Sequence, residues 1–260
     1  MIAMYDIGAA IKRYHLVGVL GWADVRQRYR RSSLGPFWIT IGMGVMIATI
    51  GVVFGQIFKS PMHDFFPFLT IGTIVWTFMS TVLSEGSTSF ISAEAILKQL
   101  PLPLFVHVMR LVWRNLIILA HNIVIFPLVL IAVGKPLELI SLVAIPGLFL
   151  TVINLSWIAL LLGLLCARYR DLPQIVISLL QVVFYLTPVI WMPKLLPARA
   201  GMYLLDLNPF YHMLEIVRAP LLGQIPSMAN WIVSVTLALL GWIATIAFFG
   251  RYKNRVAYWL

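Results

Sequence analysis

The chain has 260 residues, of which 61% are hydrophobic and 11% charged, and its formal net charge is +10. That composition leaves no stretch long and polar enough for a separate soluble domain, and a single cysteine, Cys166, excludes an intrachain disulfide and a cysteine-based metal cluster. A basic balance of this size would point to nucleic acid in a soluble protein; here the apolar content assigns it to the loops at a membrane surface.

Uncharged runs recur at about 34–58, 65–84, 115–134, 139–167, 172–193 and 228–250. Each supplies the ~20 apolar residues that a helix needs to cross a hydrocarbon core of about 30 Å. In lipid a spanning segment must satisfy its own backbone hydrogen bonds, and the alternation of a barrel strand is absent, so the runs predict helices. The expected fold is all-α and integral to the membrane, with six transmembrane helices. An N-terminal amphipathic interface helix occupies residues 1–33, and the transmembrane domain occupies 34–260.

Met1 to Gly8 lacks the basic region and cleavage site of a signal peptide, so no processing is expected. Residues 5–32 read as a helix lying on the membrane. At 100° per residue Ile11, Gly18, Trp22, Val25 and Tyr29 gather on one face, while Lys12, Arg13, Asp24, Arg28, Arg30 and Arg31 point elsewhere. Gly35-Pro36 breaks the chain into the first span, because proline suits a first helical turn. Residues 59–64, with Pro61, form a tight external turn, and the second span runs inward to Glu85.

Residues 86–103 are too polar for lipid and too long for a turn. Within them, Ser92 to Gln99 predicts about two helical turns, with Glu94 four residues before Lys98, ended by Pro101 and Pro103. The third span starts near Leu104, which puts Arg110 and Arg114 on its inner part, where they snorkel or face a protein interface. Residues 134–136 turn the chain into the fourth span, which returns to Ala167. A short connector from Arg168 to Pro173 leads into the fifth, which exits near Trp191-Met192-Pro193. Residues 194–226 carry Pro197, Gly201, Pro209, Pro220 and Gly223, which predicts short external re-entrant helices that dip in without crossing. The last span ends at a basic tail.

With six spans, one side holds Lys12, Arg13, Arg26, Arg28, Arg30, Arg31, Lys98, Arg110, Arg114, Arg168, Arg170, Arg251, Lys253 and Arg255. The other holds Lys59, Lys135, Lys194, Arg199 and Arg218. Fourteen against five predicts both termini in the cytoplasm. No G-x-x-x-x-G-K-[ST] sequence is present, and none of the nine carboxylates falls at the centre of a predicted span, although Glu215 could lie in a re-entrant segment. A conduit without an ATP site or an ion relay must borrow its energy from a partner. His107 and His121 are isolated and read as packing residues, Cys166 reads as a small apolar residue, and Asn154 and Gln181 read as interhelical hydrogen-bond partners.

Three groups of residues carry a resemblance. Arg28-Tyr29-Arg30-Arg31-Ser32-Ser33-Leu34-Gly35-Pro36-Phe37-Trp38 resembles the entrance to the first span of ABC-2 permeases that export polysaccharide. Ala95 to Pro103 resembles their first cytoplasmic loop, although leucine and proline replace the more usual basic-then-Phe-Pro sequence. The most specific segment is Ala167-Arg168-Tyr169-Arg170-Asp171-Leu172-Pro173-Gln174, followed by Tyr185-Leu186-Thr187-Pro188-Val189-Ile190 and Leu207-Asn208-Pro209-Phe210. It is similar to the RYRD, S/T-P-V and NP elements of O-antigen, teichoic-acid and capsule exporters.

The resemblance implies a transmembrane subunit of an ABC exporter for lipid-linked polysaccharide, most like the O-antigen type, in a bacterial inner membrane. It implies a homodimer and two copies of a cytoplasmic ABC ATPase, which binds the ATP and magnesium; this chain is expected to hold no cofactor, no metal and no catalytic residue. The candidates for contact with the ATPase are Glu94, Leu97, Lys98, Gln99, Arg168, Tyr169, Arg170 and Asp171, with Arg170 and Asp171 able to pair or to cap. Arg28, Arg30 and Arg31 are candidates for the diphosphate of a polyprenyl-diphosphate-linked glycan, because guanidinium donors bind phosphate bidentately; anionic membrane lipids compete for them. Phe37, Trp38, Trp76, Phe184, Tyr185 and Trp191 are channel-lining candidates, with Trp113 and Trp157 as further aromatics. The competing readings are a capsule or teichoic-acid permease, a small-hydrophobic-drug ABC-2 permease, and a membrane-embedded transferase acting on polyprenyl carriers, which would need a cluster of acids, histidines or a metal site. No nucleic-acid partner is expected.

Overall fold

The structure is a computed structural model that describes residues 2–28, 30, 35, 37–59, 61–100, 102–195, 197 and 203–260, without the side chains of 2, 28 and 195. In chain order the α-helices are α1 (Ile2–Lys12), α2 (Tyr14–Arg28), α3 (Phe37–Ile57), α4 (Met62–Ser87), α5 (Ser89–Ser92), α6 (Glu94–Gln99) and α7 (Phe105–Asn122). They continue as α8 (Ile125–Val133), α9 (Ala144–Arg168), α10 (Leu172–Leu186), α11 (Pro209–Leu221), α12 (Met228–Tyr252) and α13 (Val256–Trp259).

Among the described residues, five helical stretches are long and apolar enough to cross a membrane: Phe37–Ile57, Met62–Ser87, Phe105–Val133, Leu139–Arg168 and Met228–Trp259. The run 172–193, expected as a further full span, is helical as α10 over only 15 residues. At 1.5 Å per residue that is about 22 Å, short of the ~30 Å of a hydrocarbon core. The helix stops where it does because Thr187 precedes Pro188, and a residue before proline is pushed out of the helical region; Thr187 is extended, at ψ 133°. The chain then returns through the 13-residue α11, whose residues His212 to Leu214 and Ile216 to Pro220 are buried against α4, α9 and α12.

At the centre of the bundle stands α4, buried along most of its length and packed against α3, α7, α8, α9, α10 and α11. By contrast α3 buries a single stripe, Met43, Ile47, Gly51 and Gly55, at four-residue spacing. Phe66 and Met62 of α4 fill the space over its two glycines. Small residues also set the approach of α9 to its neighbours. Gly86 of α4 abuts Ala159, and a methyl group on Gly147 would lie 2.3 Å from the Ile216 carbonyl oxygen of α11.

Ion pairs between loops mark two opposite ends of the bundle. At one end the Lys135 Nζ donates to Asp64 Oδ1 at 2.7 Å, and the Ser141 hydroxyl donates to the Pro220 carbonyl at 3.3 Å. At the other end α1 meets the start of α7 and the end of α12: Asp6 accepts from the Leu104 and Phe105 N–H groups at 3.1 and 3.0 Å and from Lys253 at 2.7 Å. A carboxylate there satisfies two orphan N–H groups and suits the positive end of the helix dipole.

The N-terminal arm packs one face on the bundle and leaves another uncovered. It breaks at Arg13 into α1 and α2, and its buried residues are Ala3, Asp6, Ala10, Val17, Gly21 and Val25. Ile11 and Trp22 are 54% and 57% exposed, and Tyr29 lies outside the described residues. The buried face docks on protein: Gly21 lets the Trp113 ring and the Arg110 carbonyl of α7 approach, and Asp24 faces α7, while Ile11 and Trp22, expected on the membrane-facing side, stay on the outside of the bundle.

The contact at Gly147 is backbone on backbone and has little room to yield. Gly147→Ala is expected to destabilise the folded chain by about 1–3 kcal/mol, whereas Gly44→Ala, with nothing within 4 Å, should be neutral or slightly stabilising. Thermal unfolding of both variants in detergent checks the difference, and equal midpoints would count against the α9–α11 contact.

Candidate coupling surface, groove and polar pocket

Two of the predicted coupling elements meet at the end of the bundle that carries α1. No residue of α6 is buried, and Glu94, Ile96 and Leu97 are half-buried, so the helix lies at the surface of the bundle. Glu94 accepts from Lys98 one turn on at 2.7 Å, and Arg170 of the connector lies 3.9 Å from the other Glu94 oxygen. Arg170 also donates to the Leu260 carbonyl at 3.2 Å. Arg168 stacks over Tyr169 at 5.2 Å and over Trp259 of α13 at 5.6 Å. Residues from three separate parts of the chain thus form one exposed surface. Leu97 packs on the core edge, and Gln99 is exposed. Asp171 sits at the N-cap of α10 without a side-chain capping bond, and Arg170 takes Glu94 and Leu260 as partners.

Exposed pairs of this kind are screened by solvent, so they orient the surface more than they stabilise the fold. The Lys98 hydrogen bond is the main cause holding the Glu94 carboxyl below its ordinary value of 4.5.

A second arrangement lies between α4 and α10. Trp76, Phe184 and Tyr185 border a groove of about 470 Å³, with Ser80, Thr81, Ser84 and Gln181 along it. The rings interlock, Trp76 to Phe184 at 5.8 Å, Phe184 to Tyr185 at 5.3 Å and Trp76 to Phe210 of α11 at 6.0 Å. The Trp191 indole donates to the Tyr185 carbonyl at 3.1 Å beside it. The groove therefore has an aromatic side and a hydroxyl side. Phe37 and Trp38 are not part of it: both are exposed on α3, and Phe37 meets His121 edge-on at 5.9 Å. Trp157 instead donates to Asn154 at 3.2 Å.

Beyond the predicted candidates, a network of charged groups ties α2, α4 and α7 together. Arg110 donates to both Asp24 oxygens, through Nε at 2.7 Å and through Nη2. Arg114 reaches Asp24 at 3.4 Å and Glu85 at 2.6 Å, and Asn115 donates to the same Glu85 oxygen at 2.7 Å. The sequence signal for it was the pair of arginines one turn apart inside a span; their acidic partners carried none. Arg218 is a second case. Expected at an external surface, it is 0% exposed in α11, where it donates to Glu215 at 2.9 and 2.5 Å and to the Pro188 carbonyl at 2.5 Å, with Phe68 stacked at 4.1 Å. Of the three diphosphate candidates, Arg30 is exposed in a turn; Arg31 and the Arg28 side chain lie outside the described residues.

Residues 15–222, which include α3 through α11, the groove and the α6 and 168–171 parts of the exposed surface, match the family described as ABC-2 type transporter. The chain belongs to that family. Among ABC-2 transporters it is similar to the O-antigen export system permease protein RfbA of Myxococcus xanthus, at 25% identity over 89% of this chain and 90% of the relative. Two proteins of the same name from Klebsiella pneumoniae match at 24% identity, over 94% of each chain, and at 21%, over 77% of this chain and 78% of the relative. The family is one of transporters, and as an ABC-2 transporter this chain presents the RYRD element not in a buried position but on the exposed face, against α6 and α13.

Because its carboxyl is held below 4.5, Glu94 contributes fully above its unfolded value, and the contribution is lost as pH falls through the lowered folded value. A carbon-13 titration of Glu94 should give a midpoint below 4.5 that moves back toward it in Lys98→Met. An unmoved midpoint would remove Lys98 as the cause.

Proposed function

We propose that this chain is the transmembrane subunit of an ABC exporter that moves a lipid-linked polysaccharide, of the O-antigen class, across a bacterial inner membrane. The observation that carries the reading is the near full-length similarity to proteins named as O-antigen export permeases. Both termini lie in the cytoplasm in this reading. The amphipathic arm rests on the inner leaflet, and the segment around residues 194–226 is the external re-entrant piece of the domain 34–260.

Two copies of the chain form the channel, with two copies of a cytoplasmic ABC ATPase supplying ATP hydrolysis. No residue of α10 is buried within the protomer, which leaves that helix free to face a second copy. In this arrangement the groove beside it becomes a wall of the path, and its aromatic faces contact sugars without imposing one register on a sliding polymer. ATPase movement enters at α6 and at residues 168–171, whose shared surface joins that helix to both α9 and α10. Arg28, Arg30 and Arg31 meet the diphosphate or anionic lipid at the entrance.

Co-expression with a cytoplasmic ABC ATPase from the same organism that binds this chain should yield a complex that hydrolyses ATP and exports glycan in proteoliposomes. Arg170→Ala is expected to lower export by at least about fivefold while hydrolysis persists, since coupling energies of 1–3 kcal/mol correspond to roughly 5- to 150-fold. Transport by the chain alone without nucleotide would overturn the exporter reading, and unchanged export in Arg170→Ala would remove the coupling assignment.

A further inference from the structure

A furrow of about 750 Å³ lies beneath the N-terminal arm, where the end of α1 and the start of α2 face α7, α9 and α12. Ile11, Tyr14, His15 and Gly18 border it from the arm. Along α7 it runs from Phe105 to Leu116, about 16 Å at 1.5 Å per residue, so it leads from the arm toward the middle of the span. The space is open at Gly18, where an added methyl group would meet nothing within 4 Å.

The chemistry of the walls selects a hydrocarbon. The helices α7, α9 and α12 belong to stretches long and apolar enough to cross a membrane, and Trp113 and Phe149 stay exposed where they line the furrow. Polar groups on the inner walls are already satisfied: the Ser156 hydroxyl donates to the Val152 carbonyl at 2.7 Å, and the Trp242 indole donates to the Ile153 carbonyl at 3.2 Å. A polar occupant would lose its water there without a new partner, a cost that an acyl chain does not meet. The helix left uncovered for a second copy, α10, takes no part in the furrow.

Charge at the mouth selects the headgroup. Lys12 and Arg13 leave the chain between the bordering residues Ile11 and Tyr14, at the break of the arm, and both are exposed. The two acids of the arm are engaged elsewhere: Asp6 binds Lys253, and Asp24 binds Arg110 and Arg114. Two cations left over beside an apolar furrow match a phosphate carried on acyl chains.

We propose that the furrow is a binding site for an anionic phospholipid, with one acyl chain lying along α7 beneath the arm and the phosphate held by Lys12 and Arg13. The bound lipid completes the packing of the arm between its two charged anchors, Asp6 and Asp24. Unlike the surface of a leaflet, such a site holds one lipid in one place, and it is independent of the exported cargo.

The test is native mass spectrometry of the full chain in detergent, titrated with dioleoylphosphatidylglycerol and, separately, with dioleoylphosphatidylcholine. One phosphatidylglycerol per chain should be retained in preference to phosphatidylcholine. The double variant Lys12→Gln/Arg13→Gln should weaken its binding roughly fivefold for each charge removed. Gly18→Leu fills the furrow and keeps every charge, so it should abolish retention. Gly8→Leu, also in open space but outside the furrow, should bind as the unsubstituted chain does. Val19→Trp, on the exposed rim, is a second filling variant should Gly18→Leu fold poorly. Equal retention of the two lipids would overturn the site. So would unweakened binding in Gly18→Leu and Val19→Trp, which would leave only a general attraction of the arm for anionic lipid. A chain-to-chain complex in place of the lipid, lost in Gly18→Leu, would also overturn it and assign the furrow to a second copy.

Discussion

Two guanidinium groups one turn apart on α7, Arg110 and Arg114, have to be neutralised near the boundary of a membrane span. A charge left unpaired in such a place costs several kcal/mol, so its partners become structural requirements. Asp24 answers from α2 and Glu85 from α4. That requirement holds the N-terminal arm against the bundle and fixes how far α4 projects at this end. Asp6 does similar work beside it, capping the first N–H groups of α7 while it binds Lys253. One end of the molecule is thereby held by charges, and α6 and the connector 168–171 lie at that end.

The rest of the bundle is held by close approach. Lipid tails are as apolar as leucine, so burying apolar area between spans gains little, and contact has to come from packing and interhelical hydrogen bonds. Glycine and alanine on α4 and α9 let their backbones meet at Gly86 and Ala159, and Gly147 lets α11 in against α9. The exit of α10 depends on polar pairing instead. Asn208 donates to the Thr187 hydroxyl at 2.9 Å and accepts from the first N–H groups of α11, while Arg218 holds the Pro188 carbonyl. The Thr187-Pro188 and Asn208-Pro209 elements, separated in sequence, are thus two halves of one clamp. It sets the position of Phe184 and Tyr185 at the groove.

Much of this was legible beforehand. The pattern Glu94 to Lys98 predicted a helical pair that forms as written, and the short connector after Ala167 was recognisable as a constrained link between two long helices. The aromatic candidates divided: Trp76, Phe184 and Tyr185 came together, with Trp191 beside them, whereas Phe37 and Trp38 stayed on the outer face of α3. A helical wheel drawn for a membrane surface grouped Val25 with Ile11 and Trp22, and having no knowledge of a protein neighbour it could not show that Val25 packs inward while the other two stay outside. For Arg218 the sequence offered a side of the membrane and no partner. Counting basic residues assigns sides of a membrane, and it cannot tell a loop arginine from one buried on a short returning helix.

Composition and spacing by themselves determined that the chain is an all-helical membrane protein, and where its long helices run. That information is local: each backbone in lipid must bond to itself, and a window of about twenty residues reports whether it can. Only the tertiary structure decided which charges pair and which helix stands at the centre. The partners Asp24 and Arg110 are 86 residues apart, and Asp6 and Leu104 are 98 apart. No local pattern links such positions; the packing of helices against one another does.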